Sequence, residues 1–439
     1  MDLDELRERL RRKTRTGDQD KVKKLWQNLK DRTDLTTKEK LEKLLSLSRP
    51  PRREKKESVL TPGDISRGQA QPFLVLENSF HLNARYGQIM IGLGLNIPGP
   101  ILAVLGRDEA LENISLRQAV FLDLETTGLS GGTGTVPFLI GLGFFEDDKY
   151  RVVQYFLNDL AAEARMLADL QTFLMEKNFS VVVSYNGKGF DLPILETRFV
   201  LSRLPFPLAG RPHLDFLFSA RHLWRHKYQS CRLYDLALCH LGVDRAEDIP
   251  SEEIPYRYFQ YLRTGDFSLV EPIFYHNQED ILSLYGLIVA GAAMVSRSLE
   301  EAEVEADGLE LLGVGKIWEK AGQQEKSAVF YERALNKKLP GEFSVKVRKD
   351  LAYYFKKQRQ WEKSIELWQE LVEHSEDLDC FRELAIYYEH YLKNPEEALK
   401  YALDGLALSE GRSLRYEQDF KKRVERLTRK INRVKIGEE

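Results

Sequence analysis

The spacing of apolar residues changes period twice along this 439-residue chain. Short, nearly continuous apolar runs occupy 118–125, 136–146 and 149–157. The middle run, Val136 to Phe145, closes on Glu146-Asp-Asp-Lys149. Runs of this length bounded by turn residues predict three strands, the last two joined as a hairpin. Over 162–177 the spacing lengthens, with Ala164, Leu167, Leu170 and Leu174 on one helical face. Residues 180–185, Ser-Val-Val-Val-Ser-Tyr, predict a short buried strand, and a helix is expected from Leu192. Pro193 suits its first turn, where a missing N–H costs little. Three strands in hairpin order, then helix, strand, helix, predict a mixed central sheet flanked by helices over 70–300.

From 308 to 435 the pattern is helical throughout, and it repeats. Ala328–Leu335, Ile365–Val372 and Leu399–Leu406 align at offsets of 37 and 34 residues. A preceding helix is expected near 350–355 and again near 383–388. Helical hairpins at this period resemble tetratricopeptide repeats and predict an all-α repeat domain. Trp318, Trp361 and Trp368 then fall in the repeat core.

Residues 1–69 carry both charge signs and weak helical spacing, ending in the proline-broken basic run Ser48–Lys56. That composition suits a charged extension and linker, or a basic arm that touches nucleic acid or a partner. The net charge of -3 argues against a chain that is basic overall, though a local basic groove is compatible with it. The basic, aromatic run Arg221–Tyr228 suits a strand-binding surface or an amphipathic helix with solvated charges. Three cysteines give no disulfide framework and point to a reducing compartment. Cys231, Cys239 and His240 fit no zinc spacing and are expected in a buried helix. The N-terminus is charged rather than apolar, and no run is expected to approach the ~20 apolar residues of a membrane helix. The expectation is a cytoplasmic protein with no membrane association.

The chemistry begins at Phe121-Leu-Asp-Leu-Glu-Thr-Thr-Gly128. Asp123 and Glu125 are spaced i, i+2, so both face the same way on a strand. Two adjacent carboxylates at a buried strand end repel each other, and a divalent cation relieves that repulsion. Asp191 follows the glycine-rich turn Asn186-Gly-Lys-Gly-Phe190; it suits a site acid or a helix cap equally. His276 and Asp280 are spaced i, i+4 and share a helix face, as a ligand with a proton acceptor or as an ordinary surface pair. Asp215 and Asp235 are weaker candidates. The glycine-rich loop Ser130–Thr135 suits a phosphate cradle or a flexible connection.

Taken in order, these motifs resemble the DEDD, or DnaQ-like, exonucleases of the ribonuclease H-like fold. With the repeat-like tail, the chain resembles the YprB-like bacterial branch. That resemblance implies a 3′→5′ exonuclease acting on DNA with two divalent cations, Mg²⁺ or Mn²⁺. Asp123, Glu125, Asp191 and Asp280 would be the metal ligands, with Asp123 shared between the ions. His276 would be the general base. In the family's histidine type the histidine stands five residues before the last acid, and in its tyrosine type a tyrosine stands four before. Here His276 is four before and Tyr275 five before, so Tyr275 stays an alternative. Thr126, Thr127, Leu129, Asn186 and Phe190 are implied contacts to the terminal nucleotide. The resemblance also implies DNA repair beside a helicase partner. A ribonuclease of the same fold and a non-catalytic repeat adaptor are the competing functions.

Overall fold

The computed structural model describes residues 71–128, 133–245, 248–300 and 306–437. The expected N-terminal extension and the basic run Ser48–Lys56 lie outside the described residues.

The described strands are β1 (Phe73–His81), β2 (Arg85–Tyr86), β3 (Ile89–Met90), β4 (Ala119–Thr126), β5 (Pro137–Glu146), β6 (Lys149–Leu157), β7 (Val181–Ser184) and β8 (His213–Asp215). Helices α1 (Gly99–Gly106), α2 (Glu163–Lys177), α3 (Asp191–Leu201), α4 (Phe216–Trp224), α5 (Leu233–Leu241), α6 (Ile254–Thr264) and α7 (Glu271–Glu300) accompany them. Beyond α7 the described chain is helical: α8 (Gly308–Lys320), α9 (Gln324–Asn336), α10 (Gly341–Lys357), α11 (Trp361–His374), α12 (Leu378–His390), α13 (Pro395–Ser409) and α14 (Leu414–Gly437).

The large sheet runs β1-β6-β5-β4-β7-β8. Its first four strands are antiparallel, while β7 and β8 run parallel to β4. This is the mixed sheet expected from the apolar runs. The β5–β6 turn is tight because Glu146 pairs with Lys149, leaving Asp147 and Asp148 to reverse the chain. Asp147 takes φ +51°, the left-handed backbone of hairpin turns that match strand twist. The parallel entry of β7 needs a crossover, which α2 supplies.

Helix α7 sets where the site can form, because it crosses the face of β4 and β5. Gly141 and Gly143 lie opposite Asp123 and Phe121 in the β4–β5 register. A Cβ at Gly141 would stand 2.1 Å from Asn277 Oδ1 and 2.6 Å from Ile281 Cδ1. At Gly143 it would stand 2.5 Å from Ile281 Cγ2. The two bare backbones therefore admit the helix close to the sheet. Tyr285, fully buried, packs its ring on Phe121 and Phe145 at centroid separations of 5.7 and 5.6 Å.

Two expectations are corrected. The stretch Phe267–Ser296, most of it in α7, is long and apolar enough by length and composition to cross a membrane. Most of it is buried within the protein, where its apolar side chains form the core against the sheet. Of the three residues expected in a buried helix, Cys231 is half-buried in the segment before α5, Cys239 is exposed on α5, and the half-buried His240 beside it stacks on Trp224 at 4.3 Å.

The helical region shares the core of the sheet domain. Leu223 and Trp224 of α4 belong to one apolar cluster with Leu312, Val314 and Ile317 of α8 and Phe330 of α9. Gly313 makes the close approach possible: a Cβ there would lie 2.1 Å from the Leu223 carbonyl oxygen. Lys227, just past α4, pairs with Asp307 and Glu310 at the start of α8. Trp318 and Trp368 are buried, and Trp361 packs on Tyr391 at 4.0 Å. We expect Gly313→Ala to lower stability by about 1–3 kcal/mol through overpacking. Gly341→Ala, whose Cβ meets nothing within 4 Å, is the control and should be near neutral. Urea midpoints for the two variants check this, and equal midpoints would contradict the close packing of α8 on α4.

Candidate active site

Strand β4 ends at the site. Asp123 and Glu125 lie on the face that meets α7, and Asn277 of that helix donates to Asp123 Oδ2 at 2.8 Å. The same amide donates to the Asp123 carbonyl at 3.2 Å. Asn277 is itself held by Gln154 of β6, whose Nε2 donates to its Oδ1 at 2.9 Å. A chain of buried amides therefore fixes the Asp123 carboxylate from across the sheet.

Asp191, the first residue of α3, accepts from the Leu124 N–H at 3.1 Å. That N–H lies between the two acids of β4, so the bond draws Asp191 onto them. The turn that delivers Asp191 is shaped by Asp215. Its Oδ1 accepts from the Asn186 N–H at 2.8 Å and its Oδ2 from the Lys188 N–H at 3.1 Å. Asn186 adopts φ +73°, a left-handed turn position that asparagine tolerates. Asp215 also caps α4 through the Leu217 N–H at 3.2 Å. Its role in the fold is to hold the turn. Asp235 stands in the first turn of α5.

Helix α7 completes the cluster. His276 Nε2 lies 3.5 Å from Asp280 Oδ2 and 3.8 Å from Glu125 Oε1. On the other ring edge, Nδ1 lies 3.0 Å from Asp248 Oδ2. Tyr275 is rotated about 100° around the helix from His276. Of the two, His276 is the side chain facing Glu125 and Asp280. Arg245, almost fully buried, pairs with both Asp248 and Asp280.

The five residues Asp123, Glu125, Asp191, His276 and Asp280 are thus brought together. The implied nucleotide contacts are mixed. The Thr126 hydroxyl donates to the Gly128 carbonyl at 2.7 Å, and the Thr127 hydroxyl accepts from the Val136 N–H at 3.0 Å. Both stitch the turn after β4. Asn186 is exposed at the site and Phe190 half-buried. Leu129, and the loop Ser130–Thr135 as far as Gly132, lie outside the described residues.

Crowding governs the electrostatics. Burial, then the charges of Asp280 and Asp191, push the Asp123 carboxyl well above its usual range. Burial and then Asp123 do the same to Glu125. Asp191 is pushed up to about 7 by burial, against the lowering effect of its backbone hydrogen bonds. For His276, burial favours the neutral ring, but Asp280 and the Asp248 contact outweigh it and raise its pKa. Asp248 is opposed by burial yet held below its ordinary value by His276 and Arg245. Hard carboxylate oxygens with too little compensating charge are the donor set that suits Mg²⁺ or Mn²⁺. Among the described residues no three such donors already converge on one point. Asn277, the Leu124 N–H and Arg245 each engage one of the acids instead.

Over 317 residues, 71% of this chain, it is 33% identical to the uncharacterized protein YprB of Bacillus subtilis (strain 168), spanning 75% of that protein. The chain belongs to the YprB family. Its residues 120–290 match the RNase_H superfamily, which embraces β4 through most of α7. This YprB-family protein is therefore an RNase H-like superfamily nuclease in its sheet domain, and such nucleases generally use divalent metals. Across 49% of this chain it is also similar to the family B DNA polymerase from Pyrobaculum calidifontis, with a TM-score of 0.35 and 15% identity, spanning 29% of that chain.

The raised carboxyls set a pH dependence. Asp191 has a folded pKa of about 7, above its unfolded value of about 3.9. The folded state then holds the proton more tightly, so the stabilisation is complete below about pH 3.9 and is lost as pH rises through about 7. Asp123, Glu125 and His276 shift in the same direction. With EDTA present, the melting temperature should fall between about pH 5 and 8, and Asp191→Asn should flatten the fall. A melting temperature that rises over that range would contradict the crowding.

Proposed function

We propose that this YprB-family protein is a divalent-metal-dependent 3′→5′ exonuclease that hydrolyses DNA phosphodiester bonds in DNA repair. In this reading its C-terminal helices are tetratricopeptide-like repeats that hold a protein partner, a helicase in the branch it resembles. The observation that carries the catalytic reading is the two-sided setting of His276, with Asp248 on Nδ1 and the acid cluster on Nε2.

Two Mg²⁺ or Mn²⁺ ions, when held by Asp123, Glu125, Asp191 and Asp280, supply Lewis acidity toward the phosphodiester and its attacking water. The protein's own part is positioning and proton transfer. A proton on His276 Nδ1, donated to Asp248, leaves the Nε2 lone pair facing the acids, where a water is deprotonated. Arg245 pairs with the same Asp248 oxygen that faces His276, and His276 and Arg245 together hold that carboxyl below its ordinary pKa. Asn277, braced by Gln154, holds Asp123 in one rotamer. Because the pKa of His276 is raised, the base becomes available as pH climbs above its ordinary range. Attack from the 3′ end and preference for DNA rest on the ordered DEDD-type motifs. The aligned helices α9, α11 and α13 support the repeat reading.

Cleavage of end-labelled single-stranded and duplex DNA and of matched RNA, with Mn²⁺, tests the proposal. Wild type should shorten DNA from the 3′ end, and Asp123→Asn should fall to background while remaining folded. Full activity in that variant, or preferential RNA cleavage, would overturn it. Asp248→Asn tests the histidine. Asp248 Oδ2 faces both Arg245 and His276, while Oδ1 accepts from the Ile249 N–H. An amide offers one acceptor oxygen where two are used. We expect kcat to fall on the order of 10–100-fold with little change in KM. An unchanged kcat would remove Asp248 from the mechanism.

A further inference from the structure

Helix α4 starts beside the site, capped by the same Asp215 that holds the Asn186–Lys188 turn. Its two faces differ sharply. Phe216, Ala220, Leu223 and Trp224 are buried against the core. Phe218, Arg221, His222 and Arg225 recur at i, i+3, i+4, i+7 and form the opposite stripe. Phe218, Arg221 and Arg225 are exposed. Arg107, at the end of α1, sets its guanidinium 5.8 Å above the Phe218 ring.

The stripe continues across the seam into the C-terminal helices. Close packing at Gly313 brings α8 against α4, and Lys316 Nζ reaches His226 Nε2 at 3.0 Å. The His226 ring meets Phe343 of α10 at 5.4 Å. Lys320 lies one turn after Lys316, and the exposed Lys346 of α10 adds its charge beside them.

Among the described residues, no carboxylate stands within ion-pair distance of Arg107, Arg221, Arg225, Lys316, Lys320 or Lys346. Lys227, in the same segment, instead clamps Asp307 and Glu310. Two acids, Glu319 and Asp350, do lie near, and Glu319 accepts from the Tyr331 hydroxyl at 2.8 Å. They leave the cations in excess, in a chain whose overall charge is -3. The neighbouring groups feel that excess. Burial and then Lys316 push His226 down to about 4, and burial and then Arg107 lower His222.

We propose that this basic, aromatic seam between α4, α8 and α10 is a nucleic-acid track, which holds the strand leading away from the nucleotide in the active site. The inference rests on the nuclease reading and adds to it a reason for the helical region to be fused so tightly onto the sheet domain. Unpaired cations attract phosphates, and Phe218 offers a face on which a base stacks. Charge selects the occupant: the seam presents cations in excess, which a polyanion satisfies along its length.

The test compares wild type with a triple variant, Arg221→Gln, Arg225→Gln and Lys346→Gln, all at exposed positions. Fluorescence anisotropy measures affinity for a long labelled single strand and for a trinucleotide as salt is varied. Each lost phosphate contact should reduce the slope of log K against log salt by about 0.7, so the variant should lose about 2. Affinity for the long strand should drop at least tenfold, while cleavage of the trinucleotide and the melting temperature stay at wild-type values. Equal affinity and slope on the long strand would overturn the track and leave the nuclease reading standing. A wild-type protein that cleaves neither strand would overturn that reading and the track with it. Preferential loss of binding to an acidic peptide, with strand binding intact, would also overturn the track, because the occupant would then be a protein.

Discussion

Four carboxylates confined to one half-buried pocket repel one another, and the rest of this structure is arranged around that repulsion. Asp123 and Glu125 come from adjacent same-face positions of β4, Asp191 from the start of α3, and Asp280 from α7. Three of the four are held by a specific donor rather than left to relax outward. Asn277 holds Asp123, the Leu124 N–H holds Asp191, and Arg245 holds Asp280. The cost appears as carboxyl groups that retain protons more strongly than free ones. Such a pocket destabilises the folded chain at high pH unless a cation enters it. Strain of this kind is a functional signature, because a purely structural site would replace the acids with neutral groups.

Close packing makes the arrangement possible. Gly141 lets α7 approach β5 until Asn277 reaches Asp123, and Gly313 lets α8 reach α4 within the same core. Helix α7 thus has two jobs along its length. Its first turns carry His276, Asn277 and Asp280 to the acids, and its later turns bury Leu284, Tyr285, Leu287 and Ile288 against the sheet. The apolar side chains that bury these later turns in the core are what make the helix pass for a membrane segment by length and composition.

Much of this was legible in the sequence, for local reasons. The runs at 118–125, 136–146 and 149–157 became β4, β5 and β6 within a residue or so, because long apolar runs with turn residues at their ends have few alternatives. Strand β8 was not legible, since three residues carry no periodicity. Strand β1 alternates buried and exposed positions on a sheet edge, where charged residues blur the apolar pattern. At the site, the i, i+2 acids and the i, i+4 pair of α7 could be read because one element fixes their geometry. Gln154, Asn277, Arg245 and Asp248 could not. Their partners lie between 28 and 154 residues away, except for the Arg245–Asp248 contact, so their meaning depends on tertiary contacts. An asparagine beside His276 in a buried helix was the one available hint.

The central claim is that crowded, proton-holding acids form a cation site. Calorimetric titration of Mn²⁺ into the metal-free protein near neutral pH tests it most directly, repeated in buffers of different ionisation enthalpy. Binding should displace protons from the cluster, so the apparent heat should change with the buffer. Asp123→Asn should abolish most of that signal. Mn²⁺ that binds without releasing protons, or no binding at all to a folded wild-type chain, would contradict the account.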